Sequence, residues 1–216
     1  MAVASFRELK IAFIGSGTMA EAMINALLNQ GLSEPQSILA SGPRSERGQQ
    51  LQSLYGIKSF TNNSQAASQA DILVLCVKPQ RLNAVLEALH GFIKKDAFVI
   101  SIVAGAAMVK ISSGLDHASI IRAMPNTPAQ IGAGITVWTA SDVITNLQRD
   151  QTRNILRALG DEIYLEDESY LDMATALSGT GPAYVFLFME ALIDAGVHLG
   201  FPRRIAEQLV IKTIQG

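Results

Sequence analysis

The 216-residue chain is short of cysteine, aromatic side chains and charge. Its one cysteine, Cys76, excludes an internal disulfide, which suits a reducing compartment. Lysine and arginine (17) nearly balance aspartate and glutamate (19), for a net charge of -2, so no basic footprint for nucleic acid is expected. The three histidines, His90, His117 and His198, lack metal-ligand spacing, and no metal is expected. There is no Walker lysine and no nucleophile elbow. Glu166-Asp167-Glu168 reads as a solvated linker or a helix N-terminus, not as a catalytic carboxylate pair. Arg7, Glu8 and Lys10 precede an apolar stretch too short for a signal peptide. The longest mostly apolar run, Ala97 to Val109, falls short of the roughly 20 residues a bilayer requires and reads as a strand and a turn. Asn62-Asn63-Ser64 has the form of a glycosylation acceptor, and without a secretory signal it is taken as chance. A cytoplasmic protein with a small-molecule ligand, and neither membrane nor nucleic-acid partners, is expected.

Apolar residues, in contrast, make up 49%, enough to bury a sizeable core. Short apolar runs alternate with amphipathic stretches. Strands are expected at Lys10 to Ile14, Ser37 to Ser41, Ile57 to Phe60, Asp71 to Val77, Ala97 to Ile102, Ser119 to Ala123, Ile135 to Trp138 and Asp161 to Leu165. Helices are expected at Thr18 to Gln30, Glu46 to Tyr55, Arg81 to His90 and Val143 to Leu159. Continuously apolar strands separated by helices predict an α/β fold with a Rossmann-type, mainly parallel sheet covered on both faces. From Ser169 onward only helical stretches follow: Tyr170 to Leu177, Ala183 to Leu199 and Arg203 to Ile214. A boundary is therefore placed between a dinucleotide-binding domain, residues 1–166, and a small all-helical C-terminal domain, residues 167–216. The last helix, with Ile205, Leu209 and Val210 on one face, requires a partner for that face, either another subunit or a segment outside this sequence.

Ile14-Gly15-Ser16-Gly17-Thr18-Met19-Ala20 fits G-x-G-x-x-A between a strand and a helix. Gly15 makes the tight turn, Gly17 lets the backbone approach a pyrophosphate, and Ala20 permits close packing of helix on strand. The helix N-terminus then offers free N–H groups to the phosphates. After the second strand, Ser41-Gly42-Pro43-Arg44-Ser45 holds no carboxylate for ribose hydroxyls. Arg44 and its neighbouring hydroxyls suit a 2′-phosphate, so NADP(H) is expected, with NAD(H) left open.

The opening Gly15 to Ala22 resembles that of pyrroline-5-carboxylate reductases. Val77-Lys78-Pro79-Gln80, Arg122-Ala123-Met124-Pro125-Asn126-Thr127-Pro128 and Leu177-Ser178-Gly179-Thr180-Gly181-Pro182-Ala183-Tyr184 continue the likeness in order and spacing. Asp194-Ala195-Gly196 and Leu199-Gly200-Phe201-Pro202-Arg203 extend it over essentially the whole chain. The resemblance implies cofactor contacts at Asn63, on the adenosine side, at Cys76, Val77, Lys78 and Pro79, and at Ile102, Val103 and Ala104 beside the nicotinamide. It places Asn126, Ser178 and Thr180 near the substrate. On their own chemistry, Asn63 reads equally as a helix N-cap, and Ser178 and Thr180 as caps of a helix starting near Pro182.

The activity implied is reduction of 1-pyrroline-5-carboxylate to L-proline by hydride from NAD(P)H, the last step of proline biosynthesis. An iminium carbon accepts hydride readily, so the protein must mainly hold two ligands face to face. No catalytic residue is assigned. The family pattern continues beyond Gly216 with a substrate-carboxylate loop and further helices of an intertwined dimer. The chain is thus expected to be truncated, and a homodimer or higher homo-oligomer through the C-terminal helices is expected. The alternatives are a non-catalytic NADPH-binding fragment, or another NADP-dependent reductase such as a deazaflavin-linked enzyme. A 3-hydroxyacid dehydrogenase would require a lysine on the helical part, where Lys212 stands alone.

Overall fold

Four-residue apolar runs without polar alternation have no face to give to water, and they form the centre of the sheet. In the computed structural model, which describes residues 8–216, strands β1 (Ile11–Ile14), β4 (Ile72–Leu75) and β5 (Phe98–Ser101) are buried at every position. With β2 (Ile38–Ser41), β3 (Lys58–Phe60), β6 (Ile120–Met124), β7 (Gly134–Ala140) and β8 (Gly160–Tyr164) they make one sheet of order β3-β2-β1-β4-β5-β6-β7-β8. Every neighbouring pair is parallel except β6 and β7. Residues 1–7, which include Arg7 of the signal-peptide reading and open the expected first domain, lie outside the described residues.

Side chains alternate between the two faces, and each face has its own core. Ile11, Phe13, Ile72 and Val74 pack with Met23, Ile24 and Leu27 of α1 (Thr18–Asn29), Leu51 of α2 (Ser45–Tyr55) and Ile155 and Leu156 of α6 (Asn146–Arg157). Ala12, Ile14, Leu73 and Leu75 pack with Ala66 of α3 (Asn63–Ala67), Leu86 of α4 (Leu82–Leu89) and Ile111 of α5 (Met108–Leu115). The expected Rossmann-type sheet, mainly parallel and covered on both faces, is therefore the observed one.

Two helices escaped the sequence reading. Helix α3 spans five residues, too few for a period to show. Helix α5 carries Ser112, Ser113 and Gly114 in its middle, all poor helix formers. Its glycine admits Leu86 of α4: a Cβ at Gly114 would lie 2.8 Å from the Leu86 Cδ1. The stretch read as strand and turn to Val109 therefore ends inside a helix.

The helical segment differs from its expected form. Helix α7 (Tyr170–Ala174) does not end before Pro182 but passes through a π-turn, Thr175–Gly179, into α8 (Gly181–His198). Ser178 and Thr180 cap nothing; their hydroxyls donate back to the carbonyls of Ala174 (3.0 Å) and Thr175 (2.8 Å). The run Tyr170–His198 is 29 residues long and, by length and composition, apolar enough to cross a membrane, though split motifs concealed this in the sequence. No residue of α8 is buried, and Tyr184, Phe186, Leu187 and Phe188 are all exposed. Helix α9 (Arg203–Gln215) packs along α8 at Gly196, where a Cβ would come within 2.9 Å of the Ala206 Cβ. A small cluster of Val137, Leu171 and Ala174, with Leu165 beside it, joins this segment to the sheet through apolar contact, as does Met124 of β6 against Gly179.

Candidate cofactor and substrate site

The strand order reverses between β1 and β4, and at such a point the loops after the strands part to leave a crevice. A cavity of about 480 Å³ opens there, lined by Gly15 and Gly17 after β1, Gly42 and Pro43 after β2, Thr61 and Asn63 after β3, and Cys76, Val77 and Lys78 after β4. Arg81, Ala84 and Val85, from the start of α4, complete it.

Gly15 has φ +101°, and a Cβ there would stand 2.8 Å from the Cys76 carbonyl. The turn after β1 can thus lie against the turn after β4 only as glycine. A Cβ on Gly17 would meet no protein atom within 4 Å, so the space before it is left for something else. Gly17 precedes α1 without a side-chain cap, so the first-turn N–H groups face that space unpaired by a side chain. The turn is braced from behind: Arg47 Nε donates to the Ser16 carbonyl (3.0 Å), and its guanidinium pairs with Glu21. Tyr55 donates to the other Glu21 oxygen (3.1 Å), and its burial, followed by that carboxylate, raises its pKa.

Asn63 is not the cap of α3. Asn62, the residue of the glycosylation pattern, accepts from the Ser64 N–H (2.9 Å) and caps it. Asn63 Oδ1 accepts instead from the buried Ser41 hydroxyl (2.7 Å), which leaves its amide N–H groups free at the cavity wall. Arg44, Lys78 and Arg81 have no ion-pair partner among the described residues, and no carboxylate lines the cavity. Arg44 is exposed and stands outside the lining set, whereas Arg81, not singled out in the sequence, belongs to it. The signal for Arg81 was its place, one 3-10 turn beyond Lys78, where a helix begins at the crevice mouth. Cys76 is half-buried at the cavity wall, and burial pushes its thiol above the ordinary range. Ile14, Ser16, Thr18, Met19 and Pro79 adjoin the lining residues in sequence. Ile102, Val103 and Ala104 follow β5, next to β4, with the Ile102 N–H bound to the Leu75 carbonyl (3.1 Å).

A second groove lies beyond β6, where Asn126 and Pro128 meet Ser178, Gly181, Pro182, Val185 and Phe186. Asn126 Oδ1 accepts the Ile135 N–H (3.0 Å), which turns its amide N–H groups outward as donors. The Ser178 proton is committed to Ala174, so that hydroxyl presents lone pairs. Thr180 is adjacent but not among the groove residues. Glu168 is not merely solvated, as expected for an acidic linker, but pairs with the buried Arg122 at 2.9 Å. His117 and His198 bond to backbone carbonyls, and among the described residues no three His, Cys, Asp or Glu side chains gather as a metal site.

Residues 10–105, the strands and turns of the crevice, match a family model described as NADP oxidoreductase, coenzyme F420-dependent. Residues 168–216 match one described as pyrroline-5-carboxylate reductase dimerisation. A pyrroline-5-carboxylate reductase of Synechocystis is 39% identical over 97% of this chain and 78% of its own length. The chain belongs to the pyrroline-5-carboxylate reductase family. The structure of the Coxiella burnetii reductase superposes with a TM-score of 0.87 at 35% identity, over 96% of this chain and 77% of that one. The Plasmodium falciparum reductase, solved with NADP bound, gives 0.86 at 29% identity, over 98% and 78%. This family member is an NADP-linked oxidoreductase, and the crevice has the features such a cofactor requires: a void before Gly17, an uncapped helix start and cations without partners. The match to a dimerisation model over 168–216 accords with the uncovered apolar surface of α8.

Proposed function

We propose that this chain reduces 1-pyrroline-5-carboxylate to L-proline with NADPH, the last step of proline biosynthesis. The observation that carries the reading is the pairing of the two recesses. One is a carboxylate-free dinucleotide crevice; the other is a small polar-tipped groove at the junction with the helical segment. NADPH, when bound, supplies the hydride that the imine carbon accepts.

The cofactor is held at Ile14 to Met19, at Ser41, Gly42 and Arg44, at Asn63, at Cys76 to Pro79 and at Ile102 to Ala104, with Arg81 added from the cavity wall. Free N–H groups at α1 take the pyrophosphate, and Arg44 and Arg81 the 2′-phosphate. The turn at Lys78-Pro79 and the backbone after β5 orient the nicotinamide, with NADH accepted less well. Asn126, Ser178 and Thr180 hold the substrate. Asn126 donates to the substrate carboxylate, while the lone pairs of Ser178 receive the N–H of the protonated imine. An imine takes its proton from water, so the protein supplies orientation and exclusion of solvent rather than an acid of its own.

In this reading, residues 1–166 form the NADP-binding domain and 167–216 the substrate and dimerisation domain. Two or more copies join through α8 and α9, in the cytoplasm. The test is loss of NADPH absorbance on adding pyrroline-5-carboxylate, with proline measured as product. Tight NADPH binding without imine-dependent oxidation would overturn the reading.

A further inference from the structure

Arg122 is the one charged residue among the buried ones described, with 4% of its surface exposed. It sits on β6 between Ser101 of β5 and Thr139 of β7, four residues before Asn126. A buried guanidinium is costly unless its donors are met by charge, and here two carboxylates meet it. Arg122 Nη1 donates to Glu168 Oε1 (2.9 Å) and Nη2 to Asp172 Oδ1 (2.5 Å). The same Glu168 oxygen accepts the Met108 N–H at the start of α5 (2.7 Å). Three places are thereby tied at one point: the sheet, the segment after β5, and the first turn of the helical segment.

We infer that Arg122 is a positioning residue, which through Glu168 and Asp172 sets the substrate groove between Asn126 and Ser178. The apolar joint at this place is small: Val137, Leu171 and Ala174, with Leu165 beside them and Met124 against Gly179. The ion pairs hold Glu168 and Asp172, and about two turns later the end of the π-turn packs against β6 itself. A Cβ on Gly179 would lie 2.6 Å from the Met124 Cε. Both walls of the groove therefore follow from the elements Arg122 joins, Asn126 just past the end of β6 and Ser178 in the π-turn after α7. A π-turn within a helix is rare and frequently lies at a functional site. The cavity lined by the turns after β1 to β4 shares no residue with this junction, and Ile102, where the segment after β5 begins, has its own tie to β4 through the Leu75 carbonyl. Movement of the helix start should consequently alter substrate alignment and leave cofactor affinity as it was.

This inference rests on the imine-reductase reading, and its test separates the two. Arg122→Met, Arg122→Lys, Glu168→Gln and Asp172→Asn are compared with the unaltered protein for NADPH affinity, turnover with saturating pyrroline-5-carboxylate, and amide hydrogen exchange over residues 170–180. For Arg122→Met, turnover falls about ten-fold or more while NADPH affinity stays within about two-fold, since an ångström of misplacement is costly only to the reacting pair. Exchange across the π-turn accelerates. Arg122→Lys recovers part of the turnover, because a lysine keeps the charge but not the fork. If Arg122→Met does not fold, Asp172→Asn decides, since that residue is exposed and its loss leaves the core alone. Equal losses in NADPH affinity and turnover, or unchanged turnover and unchanged exchange, overturn the inference. If the unaltered protein oxidises no NADPH, the functional reading fails instead; the positioning role then stands or falls on exchange, with NADPH affinity unmoved.

Discussion

The crevice at β1 and β4 and the helical segment after Ser169 are built on opposite terms. The crevice is made of backbone: its shape depends on a glycine with positive φ, an uncapped helix start and turns held by main-chain hydrogen bonds. Two apolar cores support it, one on each face of the sheet. The helical segment is made of side chains, and most of them are uncovered, α8 having no buried residue at all. Apart from the stripe of Glu190, Asp194 and His198, α8 is apolar, and such a helix acquires its stability from what surrounds it. The difference teaches that the crevice takes its shape from backbone turns over two cores, whereas the helical segment leaves its apolar side chains uncovered.

The sharpest break to that contrast is Gly15→Ala. The added methyl enters the Cys76 carbonyl at 2.8 Å and the residue keeps a positive φ. A strain of about 3 kcal/mol or more, and a loss of NADPH affinity of about 100-fold, are expected by calorimetric titration. Retained affinity would mean that the turn adapts and that backbone shape is not what binds. Next in size is Phe186→Asp, on the uncovered face of α8 with 64% of its surface exposed. A charge in the centre of an apolar interface costs about 2–4 kcal/mol. The oligomer should dissociate in light-scattering chromatography while NADPH affinity holds; an unchanged mass would place the interface elsewhere. Arg81→Gln should weaken NADPH by roughly ten-fold and NADH by far less, the signature of a lost phosphate contact. Equal effects on both would assign Arg81 to the shared part of the cofactor.

The smallest effect is set by Asp71, at the far end of β4. Its partial burial works to raise its pKa, but the Lys94 ammonium (2.8 Å) and the Lys10 N–H (2.9 Å) hold it below the usual 3.8. A lowered folded-state pKa contributes stability that is present above the unfolded value and is lost as pH falls through the folded one. Asp71→Asn should therefore cost at most about 1 kcal/mol at neutral pH, the pair being partly exposed, and nothing once the pH is below both values. Chemical denaturation at neutral and strongly acidic pH measures the difference. A loss that persists in acid would show that the side-chain geometry, not the charge, carries the contribution.

Much of the first region is legible in the chain. Ile72-Leu73-Val74-Leu75 has no polar residue to turn outward, as suits a central strand, and Gly15 and Gly17 follow β1 and open a helix at the spacing of a dinucleotide-binding turn. Less of the second is. The motif Ser178 to Pro182 reads as a helix start because proline and small hydroxyl residues usually mark one. The chain instead carries its helix through them by widening one turn, a choice made by the contact of Gly179 with Met124. Arg81 and Arg122 were passed over for a related reason. A cation in sequence has no sign of whether it faces solvent, a ligand or a carboxylate 46 positions away.

The sequence by itself determined the sheet, the phosphate-binding turn and the absence of a ribose carboxylate, because hydrophobic period and glycine spacing act over a few neighbouring residues. Tertiary structure alone decided that Asn62 caps a helix while Asn63 is left for the cavity, that Arg81 reaches that cavity, and that Arg122 of the sheet pairs with Glu168 and Asp172. Those outcomes follow from distances between strand ends and helix starts, and such distances are fixed only when the separate elements pack.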